Sequence, residues 1–172
     1  MGLSMSVLIV TDEQIHDVER SPRRADALLA RRIAEGGEAC CYLHDYWGGL
    51  HYLLTGGEAS EALPRGVLQG GEVRFSGASD PTWAVFSPTA QALAEALQVL
   101  TEADLRACYD PPSMLHPGGG RRPVYPGRFW AFPDRAEAVF RDLMAYFARL
   151  RAIVIRAAGE HHGLMFCRYE DW

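Results

Sequence analysis

Near its C-terminal end the chain repeats apolar residues at alternating spacings of four and three: Ala136, Phe140, Leu143, Phe147, Leu150, Val154 and Ala157. That spacing follows the turn of an α-helix and puts all seven side chains on one face. The pattern predicts a long helix from Asp134 to Ala158, with Gly159 as its stop. A helix of that length needs a broad apolar surface to lie against. Gly163 to Tyr169, which follows, reads as a strand. Met5 to Val10, short, apolar and β-branched, reads as another. The length of 172 residues suits one domain with a real core.

The segments between repeat this alternation. Thr11 and Gln14 form a capping box that opens a short helix to about Arg20. Ser21-Pro22 offers a serine cap with proline at the first helical position. Ala25, Leu28, Leu29 and Ile33 continue that helix as an apolar stripe, and Gly36-Gly37 ends it. Ala39 to His44 is predicted extended. Glu72 to Phe75 and Thr82 to Phe86 are predicted strands, and Ala62 to Gln69 a turn of helix broken by Pro64. Ser87-Pro88 repeats the serine-proline start, and Leu93, Leu97 and Leu100 follow. Thr101 opens a further short helix with Leu105 and Cys108 inward. Asp110 to Arg128, with five prolines and four glycines, is predicted to be a long surface loop. The expected architecture is α+β: a single compact domain over residues 1–172, with a small mixed sheet packed with several helices and a long C-terminal helix.

One run stands apart: Trp47-Gly48-Gly49-Leu50-His51-Tyr52-Leu53-Leu54-Thr55-Gly56-Gly57. Trp47, Leu50, His51 and Leu54 share one helical face. The predicted helix spans Asp45 to Thr55. Gly48 and Gly49 weaken it by about 1 kcal/mol each relative to Ala, and permit close backbone approach.

This run resembles the bacterial YfbM-like family, a domain of unknown function, whose pattern is Trp-x-x-Leu-His-aromatic-x-Leu-Thr-Gly. The opening strand followed by Thr11-Asp12-Glu13 fits the same family. So do Phe86-Ser87-Pro88, Leu105-Arg106 with Tyr109-Asp110, and Val124-Tyr125-Pro126. Coverage is essentially the whole chain. The family often carries Asp three residues before the Trp; this chain has His44 there and Asp45 one place later. The resemblance implies a compact α+β domain and assigns no catalytic residue. It also implies kinship with proteins sometimes encoded among toxin-immunity modules.

Composition narrows the chemistry. All 17 basic residues are Arg, and the chain has neither Lys nor Asn. Schiff-base lysines, P-loop lysines, Cys-His-Asn triads and N-glycosylation are thereby excluded in this chain. No Gly-x-Ser-x-Gly elbow occurs, and Gly118-Gly119-Gly120 lacks the spacing of a phosphate loop. The net charge of -5 and scattered Arg residues argue against nucleic acid. No apolar run is long enough to span a bilayer. Cys40, Cys41, Cys108 and Cys167 lack metal-binding spacing and are expected to be free thiols in a reducing cytoplasm. No metal, cofactor or catalytic residue is expected.

Five residues are candidates for a binding site. His51, with Trp47 beside it as a stacking surface, would suit the rim of a cleft, but its otherwise core-like helical face favours a core histidine bonded to backbone groups. Tyr125, Phe129 and Trp130 cluster after the long loop, either as an aromatic docking patch or as a lid over one end of the core. Two functions follow. The first is a non-enzymatic cytoplasmic binding protein, of immunity type, whose partner is a basic protein toxin. The second is a small-molecule enzyme or sensor with a pocket near Trp47, His51 and Tyr125, which requires His51 to be partly exposed.

Overall fold

The computed structural model describes residues 2–35, 39–57, 62–76, 78–117 and 122–171. Strand β1 (Gly2–Val10) leads into helices α1 (Asp12–Arg20) and α2 (Arg24–Glu35), then strand β2 (Cys40–Tyr42) and helix α3 (Trp47–Leu54). Strands β3 (Val73–Arg74) and β4 (Thr82–Val85) precede helices α4 (Ser87–Gln98), α5 (Glu102–Cys108) and α6 (Pro111–Leu115). Helix α7 (Ala136–Gly159) and strand β5 (Gly163–Asp171) complete the described chain. Short 3-10 turns at His44–Tyr46, Arg65–Leu68, Gly127–Phe129 and Pro133–Arg135 join these elements. Gly36, Gly37, Gly118, Gly119 and Gly120 lie outside the described residues, as does the Ile33 side chain.

The five strands form one sheet in the order β2-β1-β5-β4-β3. Every pairing is antiparallel, so the mixed sheet expected from sequence is corrected. A strand's apolar pattern does not encode its direction relative to a neighbour. The register is set by the two longest strands, which pair from Gly2 opposite Asp171 to Val10 opposite Gly163.

Both faces of the sheet are covered, which explains the near-continuous apolar run of β1. Met5, Val7 and Ile9 pack with residues of α3, α4 and α7; Leu8 and Val10 pack with residues of α1 and α2. The predicted stripe of α7 is buried from Phe140 to Ala157. The helix ends later than Gly159 predicts. Gly159 stays helical, and the chain reverses at His161, whose φ is 55°. The His161 and His162 amides donate to the Ala158 and Ala157 carbonyls and satisfy the helix end.

Two serine-proline starts are also relocated. Ser21 closes α1, and α2 begins only at Arg24. Phe86, not Ser87, caps α4. The Ser87 amide and hydroxyl instead donate to the Asp12 carboxylate at 2.9 and 2.7 Å. Asp12 thus ties the start of α4 to the first turn of α1. The Thr11 box forms as predicted, with both reciprocal bonds present. The predicted loop after Asp110 contains α6, whose Met114 is fully buried.

Candidate functional site

Trp47 and His51 lie one helical turn apart on α3, and both are buried, at 4% and 2% exposure. The Trp47 indole N–H donates to the Leu3 carbonyl at 2.9 Å. Tyr125 stacks on that indole with ring centroids 5.4 Å apart, and its hydroxyl accepts from the Leu3 amide. Trp130 is 3% exposed and donates to the Val124 carbonyl at 2.6 Å. The two glycines allow this packing. A Cβ on Gly48 would lie 2.3 Å from the Tyr125 carbonyl oxygen, and one on Gly49 would lie 2.9 Å from both Trp130 and Leu143.

Three of the five sequence candidates, Trp47, Tyr125 and Trp130, therefore belong to a plug in which the Val124–Trp130 segment seats on α3, while His51 is buried one turn further along that helix. The imidazole is enclosed, in the position of a core histidine rather than at a cleft rim. The reason is the same helical face that suggested it: Leu50, Leu53 and Leu54 carry α3 inward, and His51 goes with them.

Phe129 joins the plug to the surface, its ring edge-on to Trp130 with centroids 6.0 Å apart. Its ring lies 4.8 Å from Tyr46, which stacks on Tyr146 at 4.6 Å; Tyr146 meets His44 at 5.9 Å. A ladder of half-buried and exposed rings thus runs from the 3-10 turn before α3 across the side of α7. Arginines sit over it. Arg128 lies 5.4 Å from the Phe129 ring and Arg149 lies 5.1 Å from the Tyr146 ring. Asp45 pairs with Arg128, and the Tyr46 hydroxyl donates to Asp142 at 2.8 Å. Burial, with that bond to Asp142, raises the Tyr46 phenol above its ordinary range.

A concavity lies at each end of the ladder. One, of about 140 Å³, is lined by Tyr46, Phe129, Phe132, Arg135 and Asp142, and Phe132 is 52% exposed. The other, of about 600 Å³, runs between β2 and α7 and is lined by Cys41, Tyr42, His44, Arg149, Ala152 and Arg156. Burial and the neighbouring Cys40 push the Cys41 thiol up to about 11, with Arg149 opposing. Such a thiol stays protonated near neutrality and is a poor nucleophile. His44 has φ 44°, a left-handed backbone that Asp, Asn and His adopt more readily than most residues. Among the described residues, no group of three or more His, Cys, Asp or Glu is placed to hold a metal. No helix among them is long and apolar enough to cross a membrane.

The model of a family described as a domain of unknown function, DUF1877, matches residues 1–167. The chain belongs to that family. Among solved structures, this DUF1877 chain is similar to the crystal structure of a protein of unknown function, YfbM from Escherichia coli. The TM-score is 0.68, over 96% of this chain and 99% of that one, at 12% identity. That likeness shows a shared α+β fold. No curated protein matches the sequence.

Within this DUF1877 fold, sequence reasoning missed the ladder and the groove. Tyr46 and Tyr146 are 100 positions apart, so no local pattern joins them. Arg149, Ala152, Ile153 and Arg156 do carry a signal, an i, i+3, i+4, i+7 stripe flanking the apolar face of α7. It looks like an ordinary solvated helix flank until β2 is placed beside it.

Proposed function

We propose that this protein is a non-enzymatic binding protein that docks a protein partner on the arginine-covered ring ladder. The observation that carries the proposal is the ladder itself: Phe129, Tyr46 and Tyr146 in contact, flanked by exposed Phe132, with Arg128 over the Phe129 ring and Arg149 over the Tyr146 ring. Tyr, Trp and Arg are the residue types that most often dominate interface energies, and Phe is enriched there. Rings already held by neighbours lose little freedom on binding.

A toxin-neutralising role is the specific form of this function that the family kinship favours. The whole-molecule charge of -5 steers a basic partner inward. The ladder, carrying Arg128, Arg135 and Arg149, then seats an acidic segment of that partner. The test is a titration of the purified protein against the product of its neighbouring gene. Wild type forms a stoichiometric complex, and Phe132→Glu with Arg135→Glu abolishes it without lowering Tm. If that product does not bind, or binds both forms equally, the proposal fails.

A small-molecule site is the second function, favoured by the size of the β2–α7 groove, which lies within the range of ligand pockets. Its residues are those of the groove rather than Trp47, His51 and Tyr125, which fill their own space. A thermal-shift screen against nucleotides and metabolites tests it, since a ligand at 100 times its Kd adds about 2.7 kcal/mol.

A further inference from the structure

The sheet stops one strand short on its β2 side. β2 is the edge strand beside β1. Its inward backbone groups are identified by their bonds: the Ala39 carbonyl accepts from the Ile9 amide, and the Leu43 amide donates to the Met5 carbonyl. Backbone groups alternate direction along a strand, so Cys41 also faces β1. Cys40 and Tyr42 then turn their N–H and C=O groups outward. Among the described residues, none bonds these outward groups.

Helix α7 lies below and beyond that edge. Its flank presents Arg149, Ala152, Ile153 and Arg156 to the 600 Å³ groove. Ala152 is exposed and small, which leaves width beside the edge. Arg149 has no carboxylate partner among the described residues, and Arg156 bonds Glu160 through Nε at 2.8 Å. The space has the position of an added strand, and its α7 wall carries the guanidinium groups of Arg149 and of Arg156, the latter also held by Glu160.

We propose that the groove between β2 and α7 binds an extended acidic peptide segment, which adds to β2 as a sixth strand. This deepens the docking function above and rests on it, giving the partner segment a chemistry. Arg149 and Arg156 are two helical turns apart, about 10.5 Å along the axis. Residues i and i+4 of a strand are about 13.6 Å apart and project to the same face. Two carboxylates at that spacing meet the two guanidinium groups at the reach of their long side chains. The residue midway between them lies over Ala152 and Ile153 and is apolar. The segment therefore reads acidic-x-apolar-x-acidic. Main-chain bonds to Cys40 and Tyr42 supply affinity, and the alternate side chains supply specificity. A second copy of this chain fits poorly, because its own Arg149 and Arg156 would approach like charges.

The test uses synthetic nine-residue peptides with a Glu-x-Leu-x-Glu centre, their Lys-x-Leu-x-Lys counterparts, and the full protein, read by fluorescence anisotropy. The Glu peptides bind and the Lys peptides do not. Arg149→Glu weakens binding at least tenfold. Ala152→Trp, at an exposed position, fills the groove and abolishes binding at unchanged Tm. N-methylation of one alternate set of peptide amides weakens binding at least tenfold, while methylation of the other set leaves it unchanged. No binding by any Glu peptide overturns the proposal. So does binding indifferent to N-methylation, which would assign the groove to side-chain or small-molecule recognition. A dimer broken by Ala152→Trp would assign the edge to self-pairing and overturn it as well. Loss of the peptide result with a complex still dependent on Phe132 would leave the docking function standing and remove only the strand addition.

Discussion

Gly48→Ala sets two known effects against each other, and the structure decides the sign. In an exposed helix interior the change stabilises by about 1 kcal/mol. Here the new Cβ would lie 2.3 Å from the Tyr125 carbonyl oxygen and 3.1 Å from its carbon. Both are backbone atoms, so no side-chain rotation relieves the contact. Either α3 shifts or the Val124–Trp130 segment lifts. Overpacking of this kind costs about 1–3 kcal/mol. Lifting the segment also disturbs the Trp47–Tyr125 stack, worth about 0.5–1.5 kcal/mol, and the Tyr125 bond to Leu3, worth about 1 kcal/mol. Set against the helix gain, these terms leave a loss of about 1.5–4.5 kcal/mol, or a Tm lower by roughly 3–18 °C for a chain of this length. Gly159→Ala is the control. It is also helical, but its Cβ would meet nothing within 4 Å. It gains up to about 1 kcal/mol, roughly 2–4 °C. Calorimetry gives both Tm values, and hydrogen exchange shows whether residues 122–130 open in Gly48→Ala. A Tm for Gly48→Ala that rises as it does for Gly159→Ala would refute the close seating of the loop on α3.

Three further outcomes follow from particular contacts. Diethyl pyrocarbonate modifies exposed His16, His44, His116 and His161 in the native protein while His51 reacts only on unfolding, as peptide mass mapping can show; early reaction at His51 would place it outside the core. Asp12→Ala and Ser87→Ala each cost about 1–3 kcal/mol, and their double-mutant cycle shows coupling above roughly 0.5 kcal/mol; additive urea-denaturation energies would contradict the α1–α4 tie. The unfolded state ionises Cys41 near its ordinary 9.0, the folded state only at about 11, so this thiol's stabilisation is full below pH 9 and is lost as pH rises toward 11. Tm measured across that window falls, and falls less in Cys41→Ala; equal slopes would contradict the cause.

Local chemistry was legible in the sequence and distant chemistry was not. Thr11 and Gln14 read correctly because a capping box is made by neighbours three positions apart. Ser87 was misplaced because its partner, Asp12, is 75 positions away. The stripe of α7 was clear, yet its end shifted, since the left-handed turn fell on His161 rather than on the available glycine. The Trp47–Thr55 run announced itself by unusual composition, and that composition reports close packing: glycines where Tyr125 and Trp130 press in, and a histidine carried inward with its helix. The ladder left no local signature, and the groove left only the Arg149–Arg156 stripe, which looks like a solvated helix flank. They exist only because the sheet order puts β2 at an edge beside α7, and neither the order nor the edge is written in any single segment.

Hydrogen-exchange footprinting of the complex with the neighbouring gene's product tests most directly whether this fold acts through its outer face. Protection confined to residues 40–46, 128–135 and 142–156, with Trp47–Leu54 and the α1–α2 face unchanged, is the predicted result. New protection centred on α1 and α2, with the ladder and β2 still exchanging at their free rates, would contradict it.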